Sequence, residues 1–532
     1  MNTDPIQLEV FKHRFAAIAD EMGVVLRKAS YSPNIKERRD FSCALFNAAG
    51  QMIAQAAHIP VHLGSMPLSV AAAIRDFPDL QPGDVIALND PFRGGTHLPD
   101  ITLISPVFIQ TPEVSENLFG FVASRAHHAD VGGMTPGSMP LAREIYQEGL
   151  IIPPIKLVGG GVVNQAAWDL LLANVRTPEE RAGDLWAQIA ANQRGAQRLQ
   201  ELVAEHGNPT VSHYMAAMLD YTERMTRHLL ENIPDGSYSF EDYLDNDGIG
   251  NAPVPICVTV KIKGDQAQVD FTGSASQQRG SVNAVYAITL SAVYYVFRCL
   301  IELDVPNNAG CLAPIEVIAP LGSVVNAQHP APVAGGNVET SQRIVDVLLG
   351  ALAQALPEKV PAASQGTMNN VTIGGRGPKG SFAYYETIGG GMGALPGQNG
   401  ISAIHSHMTN TLNTPAEALE YAYPLRVLRY EVRRGTGGAG QFHGGDGIRR
   451  DVQVLSEAQV TLLTERRGRG PYGLNGGQPG IPGLNLVIRE GQEILLPGKG
   501  SVDLYPGDIL SIQTPGGGGY GSIGENPNPA HV

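Results

Sequence analysis

Cysteine is scarce in this 532-residue chain: only Cys43, Cys257, Cys299 and Cys311 occur, and none forms a CxxC pair. Four thiols cannot staple a chain of this length, so they read as reduced and mostly buried in a cytosolic protein. Positive charge is short as well. Lys and Arg total 37 against 51 Asp and Glu, a formal charge of −14. An acidic surface repels phosphate backbones and anionic bilayers, which argues against nucleic acid or membrane as the main partner. Long apolar runs are missing: the longest, residues 284–297, is interrupted by Thr289 and Ser291. It is too short to span a bilayer and reads as a buried helix. The start, MNTDPIQLEVFKHRF, carries acids and no apolar core, so no signal peptide is expected. There is no Walker A, GxSxG or HExxH motif, which leaves a P-loop ATP site, a serine hydrolase and a zincin unsupported. GxGxxG occurs at Gly375-Gly377-Gly380 and Gly468-Gly470-Gly473, each with Pro inside the loop. Neither precedes a helical pattern, so both read as turn glycines.

What is present is enough apolar chain, 43%, for sizeable cores, which excludes disorder. The 63 glycines and 38 prolines follow no Gly-X-Y period, so the chain is turn-rich but not collagen-like. Apolar spacing predicts a helix over 6–29, a hairpin over 43–54 and strands at VIAL, ITLISPVFI and LFGFVAS. It predicts two long helices over 178–206 and 209–232, with Asn208-Pro209 as a cap. Strands follow Pro234, helices are expected at 284–301 and 341–356, and Gly-rich turns separate short strands from Val360 on. The expected class is α+β: several mixed or antiparallel sheets, a helical middle segment and a mainly β C-terminal part. Soft boundaries divide it into 1–235, 236–400 and 401–532, with a frayed tail at 525–532.

Possible metal ligands are densest in the first quarter. GTHLPD holds His97 and Asp100, and RAHHADVGG holds His127, His128 and Asp130; each has an HxxD pattern at a predicted strand end. ERRDFS adds Asp40 upstream, and EIYQEG adds Glu144 and Glu148 downstream. Imidazole nitrogens and carboxylate oxygens converging from separate loops suit Zn, Mn or Fe(II). Histidines simply hydrogen-bonded to nearby carboxylates give the same pattern. His58 and His62 have chelating i,i+4 spacing, but Pro60 between them argues against the helix this needs, so they read as pocket-lining or core residues.

GGNVETSQR (Asn337, Glu339, Thr340, Ser341, Gln342, Arg343) is either a polar loop around a substrate or the N-cap of the helix that follows. HSHMTNTLNTPAEALE places His405 and His407 on one face if the segment is a strand, and Thr414-Pro415 with Glu417 reads as a helix cap. The glycines and arginines of RRGTGGAGQFHGGDGIRRD allow a phosphate loop, though bulges and turns are the simpler account.

These segments, in order along nearly the whole chain, resemble the hydantoinase B/oxoprolinase family: ERRDFSCALFNAAGQMIAQAAHIPVHLGSMP, NDPFRGGTHLPDI, SRAHHADVGGMTPGSMP, EIYQEGLIIPPIKL, GDLWAQIAANQRG, NVETSQRIVD, HMTNTLNTPAEALE and TPGGGGYG. The resemblance implies a B-type subunit working with a hydantoinase A-like partner that binds ATP, in a hetero-oligomer. The partner would phosphorylate the carbonyl oxygen of a cyclic amide such as 5-oxoproline, a hydantoin or a lactam. The B-type chain would then open the ring with metal-activated water. Related chains carboxylate acetone or acetophenone, and that is the alternative activity. Carried over residue by residue, the resemblance implies Asp40, His97, Asp100 and His127 as ligands of a divalent metal (Zn, Mn or Fe). It gives Asp130 and Glu148 a supporting catalytic role, as orienters or a general base, with His128 the rival to His127.

Overall fold

The computed structural model describes residues 3–56, 59–110 and 117–524. His58 and the tail 525–532 lie outside the described residues. The first part comprises α1 (Pro5–Ala29), α2 (Pro33–Lys36), β1 (Phe41–Asn47), β2 (Met52–Gln55), α3 (Met66–Asp76), β3 (Val85–Leu88), β4 (Asp100–Ile109), β5 (Asn117–His127), β6 (Ile155–Gly159) and β7 (Val162–Val163). The helices α4 (Gln165–Ala173), α5 (Pro178–His206) and α6 (Asn208–Glu231) follow. Asp4 starts α1 by accepting a hydrogen bond from Ile6 N–H, which satisfies one of the free donors of the first turn.

All seven strands join in one sheet, ordered β2-β1-β5-β4-β3-β6-β7. Its two faces carry separate cores, and the period of two along each strand sorts the side chains between them. From β1, Cys43 and Leu45 pack with Phe11, Phe15 and Met22 of α1 and with Ala187 of α5. The alternate residues Ala44 and Phe46 pack with Met66 and Val70 of α3. The expected Asn208-Pro209 cap is corrected. Gly207 takes the cap position, and Asn208 Oδ1 instead accepts a hydrogen bond from the Ser212 hydroxyl.

The second sheet, β11-β10-β9-β8, consists of β8 (Gly236–Leu244), β9 (Val254–Lys263), β10 (Gln266–Asp270) and β11 (Ile315–Ile318). Against it lies α8 (Ser341–Leu352), and on α8 packs α7 (Tyr286–Leu300), which is the buried apolar run. Two further sheets use β12 (Asn370–Gly377), β13 (Gly380–Glu386), β14 (Leu425–Arg433), β15 (Gly447–Val454), β16 (Ala458–Leu463), β17 (Leu484–Arg489), β18 (Gln492–Leu496), β19 (Lys499–Leu504) and β20 (Ile509–Gln513). Their orders are β13-β12-β16-β19 and β14-β15-β20-β17-β18. The first of these straddles residue 400, because β12 pairs with β16.

The architecture is α+β with several antiparallel or mixed sheets. Gly377 pairs with Gly380 at the tip of the β12–β13 hairpin, so that GxGxxG is a turn. The Gly-rich segments pack backbone on backbone. A Cβ at Gly391 would lie 2.0 Å from Gly445 O and 2.2 Å from Gly517 N, an approach only glycine permits. Among the described residues no helix is long and apolar enough to cross a membrane. None of the four cysteines forms a disulfide; Cys43 and Cys311 are buried, but Cys257 is half-buried and Cys299 exposed, so burial is less general than expected.

Candidate metal centre

The centre is set by strand register. In the β4–β5 ladder Asp100 stands directly opposite His127, and the next β5 residue inward, Ala126, pairs with Phe41 of β1. Asp40, just before β1, accepts the His127 backbone N–H through its carbonyl. Asp40, His127 and Asp100 therefore form a row across three adjacent strand ends. Two rows further in, Ser42 and Thr102 flank Arg125, whose guanidinium donates to Thr102, Ser65 and Ser69. Burial pulls Arg125 down to about 10, still a cation at neutral pH beneath the acidic row. His97 enters from the turn before β4, four residues after Arg93 closes the short Pro91–Arg93 helix.

The side chains converge. His97 Nε2 lies 3.0 Å and His127 Nδ1 3.2 Å from Asp100 Oδ1, and the two nitrogens are 3.2 Å apart. Exposure is 0% for His97, 1% for Asp100 and 2% for His127. The other carboxylate oxygen of Asp100 accepts from the Thr96 hydroxyl at 2.7 Å and lies 3.3 Å from His62 Nε2. His62 in turn meets the Ser42 hydroxyl through Nδ1 at 2.9 Å. Burial by itself would raise Asp100. The charge of His97 and hydrogen bonds from His127, His62 and His97 outweigh it and hold the carboxyl well below the usual range. Burial lowers His127 and His62, favouring neutral rings with a free lone pair, the form that binds metal. Tyr385 stacks on His127 with ring centroids 4.3 Å apart, and Arg38 sits over the same tyrosine.

These residues close around a small cavity of about 20 Å³, lined by Asp40, His62, Asp100, His127, Asn337, Met368, Tyr385, Met408 and the hydroxyl residues Thr387, Thr409 and Thr411, among others. That is room for about one water or ion. An open groove of about 660 Å³ elsewhere, lined by Arg75, Phe92, Tyr286 and His329 among others, includes none of the three converging residues. Two imidazole nitrogens and one carboxylate oxygen, about 3 Å from one another, match adjacent donors around an ion with bonds of about 2.1 Å, and the N/O set suits Zn, Mn or Fe(II). The residues fit a divalent metal.

Of the sequence candidates, His97, Asp100 and His127 come together, and Asp40 lines the same cavity, 3.8 Å from Arg38. His128 turns to the opposite face, as strand alternation requires, and meets Gln188 Oε1 at 2.9 Å. Asp130 is taken up elsewhere: it accepts from the backbone of Gly132, Gly137 and Arg176 and pairs with the Arg176 guanidinium at 2.9 Å. Both oxygens of buried Glu148 accept backbone N–H groups, from Val333 and Ala334. Burial still pushes Glu148 up to about 8. The bonds these two carboxylates accept come from backbone N–H groups and Arg176, not from His97, Asp100 or His127.

Three readings are corrected. NVETSQR is not a cap: Gly336–Thr340 is a turn of π-helix running into α8, and no side chain caps it. A Cβ on Gly336 would lie 1.8 Å from Asn283 O, so glycine is needed there. His405 and His407 do not share a strand face, because residues 405–411 form an irregular loop and His407 has φ 58°. Its ring meets the Tyr295 hydroxyl at 3.4 Å. Thr414 does precede a helix, α9 (Ala416–Ala422), but makes no capping bond. Sequence reading gives His62 only a pocket-lining or core place because of Pro60, which in fact begins a 3₁₀ turn, and leaves Asn337 between a substrate loop and a helix cap. Tyr385 carries no signal in spacing and lies outside the resembling segments.

A seven-stranded sheet that gathers a two-histidine, one-carboxylate cluster at its strand ends defines an α+β protein with a buried candidate metal centre. The chain belongs to the hydantoinase B/oxoprolinase family, whose model matches residues 4–523. It is 42% identical to 5-oxoprolinase 1 of Arabidopsis thaliana over 98% of this chain and 42% of that protein. It therefore spans less than half of that relative. A Pseudomonas protein named as the B-type component of a D-/L-hydantoinase is 34% identical over 98% of this chain and 90% of its own. Among solved structures, the ATP-dependent caprolactamase of Pseudomonas jessenii superposes with a TM-score of 0.90 at 30% identity, over 98% of this chain and 92% of that one.

Proposed function

We propose that this chain is the B-type subunit of an ATP-dependent cyclic amide hydrolase, opening 5-oxoproline, a hydantoin or a lactam. The observation that carries the reading is the buried convergence of His97, Asp100 and His127, the last two lining a small cavity. The names of the relatives support the substrate class and the division of labour. No Walker A motif is present, and ATP is assigned to a hydantoinase A-like partner in a hetero-oligomer.

An unstrained amide is a poor electrophile. In the proposed sequence the partner transfers a phosphoryl group from ATP to the carbonyl oxygen. Water then adds to the carbonyl carbon and the ring C–N bond breaks, with the nitrogen taking a proton. The resulting acyl phosphate is hydrolysed to carboxylate and phosphate. A divalent ion at the His97–Asp100–His127 cluster would supply a Lewis acid that polarises oxygen and acidifies water. The rest falls to side chains. His62 and Thr96 fix the Asp100 carboxylate. Tyr385 holds the plane of the His127 ring. The hydroxyls of Thr387, Thr409 and Thr411, joined to Arg38, offer donors to a substrate oxygen. The close-packed wall excludes bulk water.

The test pairs the purified chain with an A-type partner. Metal content is measured by elemental analysis, and ATP hydrolysis is followed over 5-oxoproline, hydantoins, lactams and ketones with and without bicarbonate. About one metal per chain and ATP use triggered by a cyclic amide without bicarbonate are expected. Bicarbonate-dependent turnover of a ketone would replace the reading with the carboxylase. A metal-free complex of full activity would overturn the metal assignment.

A further inference from the structure

Asn337 sits in the π-turn at 4% exposure and lines the cavity. Its Nδ2 lies 3.2 Å from His97 Nε2, the same nitrogen that forms one corner of the triad. Its Oδ1 is buried and has no hydrogen-bond partner. The two ends of an asparagine amide have nearly the same shape, and partners decide which way it faces. A half-turn about the last side-chain bond exchanges them. Oδ1 then lies about 3.2 Å from His97 Nε2, matching the 3.0, 3.2 and 3.2 Å edges of the triad itself. A cation held by the triad repels an amide NH₂ and attracts a carbonyl oxygen, so it selects this second orientation.

The backbone around Asn337 is tightly held. Glu148 fixes Val333 and Ala334 just upstream, the Thr340 hydroxyl donates to Val282 O, and the Ser341 hydroxyl donates to Asn337 O. The extra residue of a π-turn rotates one side chain out of α-helical phase, which is one reason such turns occur at functional sites. Here the residue so placed is Asn337.

We infer that Asn337 Oδ1 is a further protein donor to the divalent cation held by His97, Asp100 and His127. The inference rests on the metal site of the proposed function and adds a ligand to it. A neutral donor raises coordination number without adding negative charge, so the ion keeps more of its Lewis acidity than with a second carboxylate.

The test uses the full chain with its partner, stripped by chelator and titrated with Zn²⁺ against a chelating dye and with Co²⁺ by visible absorption. Thermal melts report folding. Asn337→Leu is expected to weaken Zn²⁺ binding by about tenfold or more and to change the Co²⁺ bands. Asn337→Asp keeps an oxygen at that vertex and is expected to bind Zn²⁺ at least as tightly as wild type. Asn337→Leu with wild-type affinity and an unchanged Co²⁺ spectrum overturns the inference, as does Asn337→Asp binding more weakly than wild type. The second variant decides the matter if the first fails to fold. A wild-type chain that takes up neither ion overturns the metal site itself, and the inference with it.

Discussion

Asp100 and His127 face each other across the β4–β5 ladder, and Asp100 Oδ1 lies 3.2 Å from His127 Nδ1. The ladder brings together two residues 27 positions apart in the chain, and His97 completes the group from the turn before β4. The geometry of the candidate metal centre is therefore tied to sheet register.

Replacing His127 or His97 by Ala removes one of three converging donors. Metal content should fall and ring opening should drop by about a thousandfold or more, equivalent to about 4 kcal/mol of transition-state stabilisation. Circular dichroism should remain that of the wild type, because neither side chain belongs to the apolar cores on either face of the sheet. Full activity in either variant would remove the metal role.

His62→Ala strips Asp100 of a partner without removing a triad donor. A loss of metal affinity of about 10–100-fold is expected, measured by competition with a chelator at fixed pH. An unchanged affinity would make His62 a packing residue.

Arg343 of the π-turn motif anchors the site to the rest of the chain. Its Nη1 lies 3.0 Å from both Asp242 Oδ2 and Asp346 Oδ2, and Arg466 reaches the same two oxygens at 2.6 and 2.7 Å. All but Asp242 are almost wholly buried. Arg343→Met leaves acids short of a partner and should cost about 3–5 kcal/mol in denaturant unfolding. Pairing it with Asp346→Leu should recover part of that loss.

Glu148 makes stability depend on pH. Burial raises it from 4.5 in the unfolded chain to about 8 in the folded protein. Between those values the folded state holds a proton that the unfolded state releases. Its contribution is complete below about pH 4.5, declines as pH rises, and is lost above about 8, on the order of a few kcal/mol in all. Glu148→Gln should flatten the profile of melting temperature against pH over that window. A variant profile parallel to wild type would show that Glu148 is ionised throughout in the folded protein.

Local patterning was legible wherever one residue type repeats with a clear period. The stripe Phe11, Phe15, Ile18, Met22 specifies α1, and the short apolar runs VIAL, ITLISPVFI and LFGFVAS, bounded by polar and turn residues, specify β3, β4 and β5, which are buried on both faces of the sheet. Boundaries set by a single residue were less legible. Gly207 rather than Asn208 caps α6, since a glycine at φ 81° serves there as well as a side-chain acceptor. Pro60 counted against His62, yet proline is at home at the start of a 3₁₀ turn, and that turn presents His62 to Asp100.

The amino-acid sequence by itself determined the class of fold, the family, and the HxxD segments that supply the triad. Those rest on local spacing and on long, distinctive motifs. Only the tertiary structure decided between His127 and His128, because strand register alone sends one into the cavity and the other to Gln188. It alone turned NVETSQR from a helix cap into a π-turn carrying Asn337 to His97, a contact across 240 residues. No local period encodes a contact at that separation. It arises when separate cores close on one another and leave these side chains facing the same small cavity.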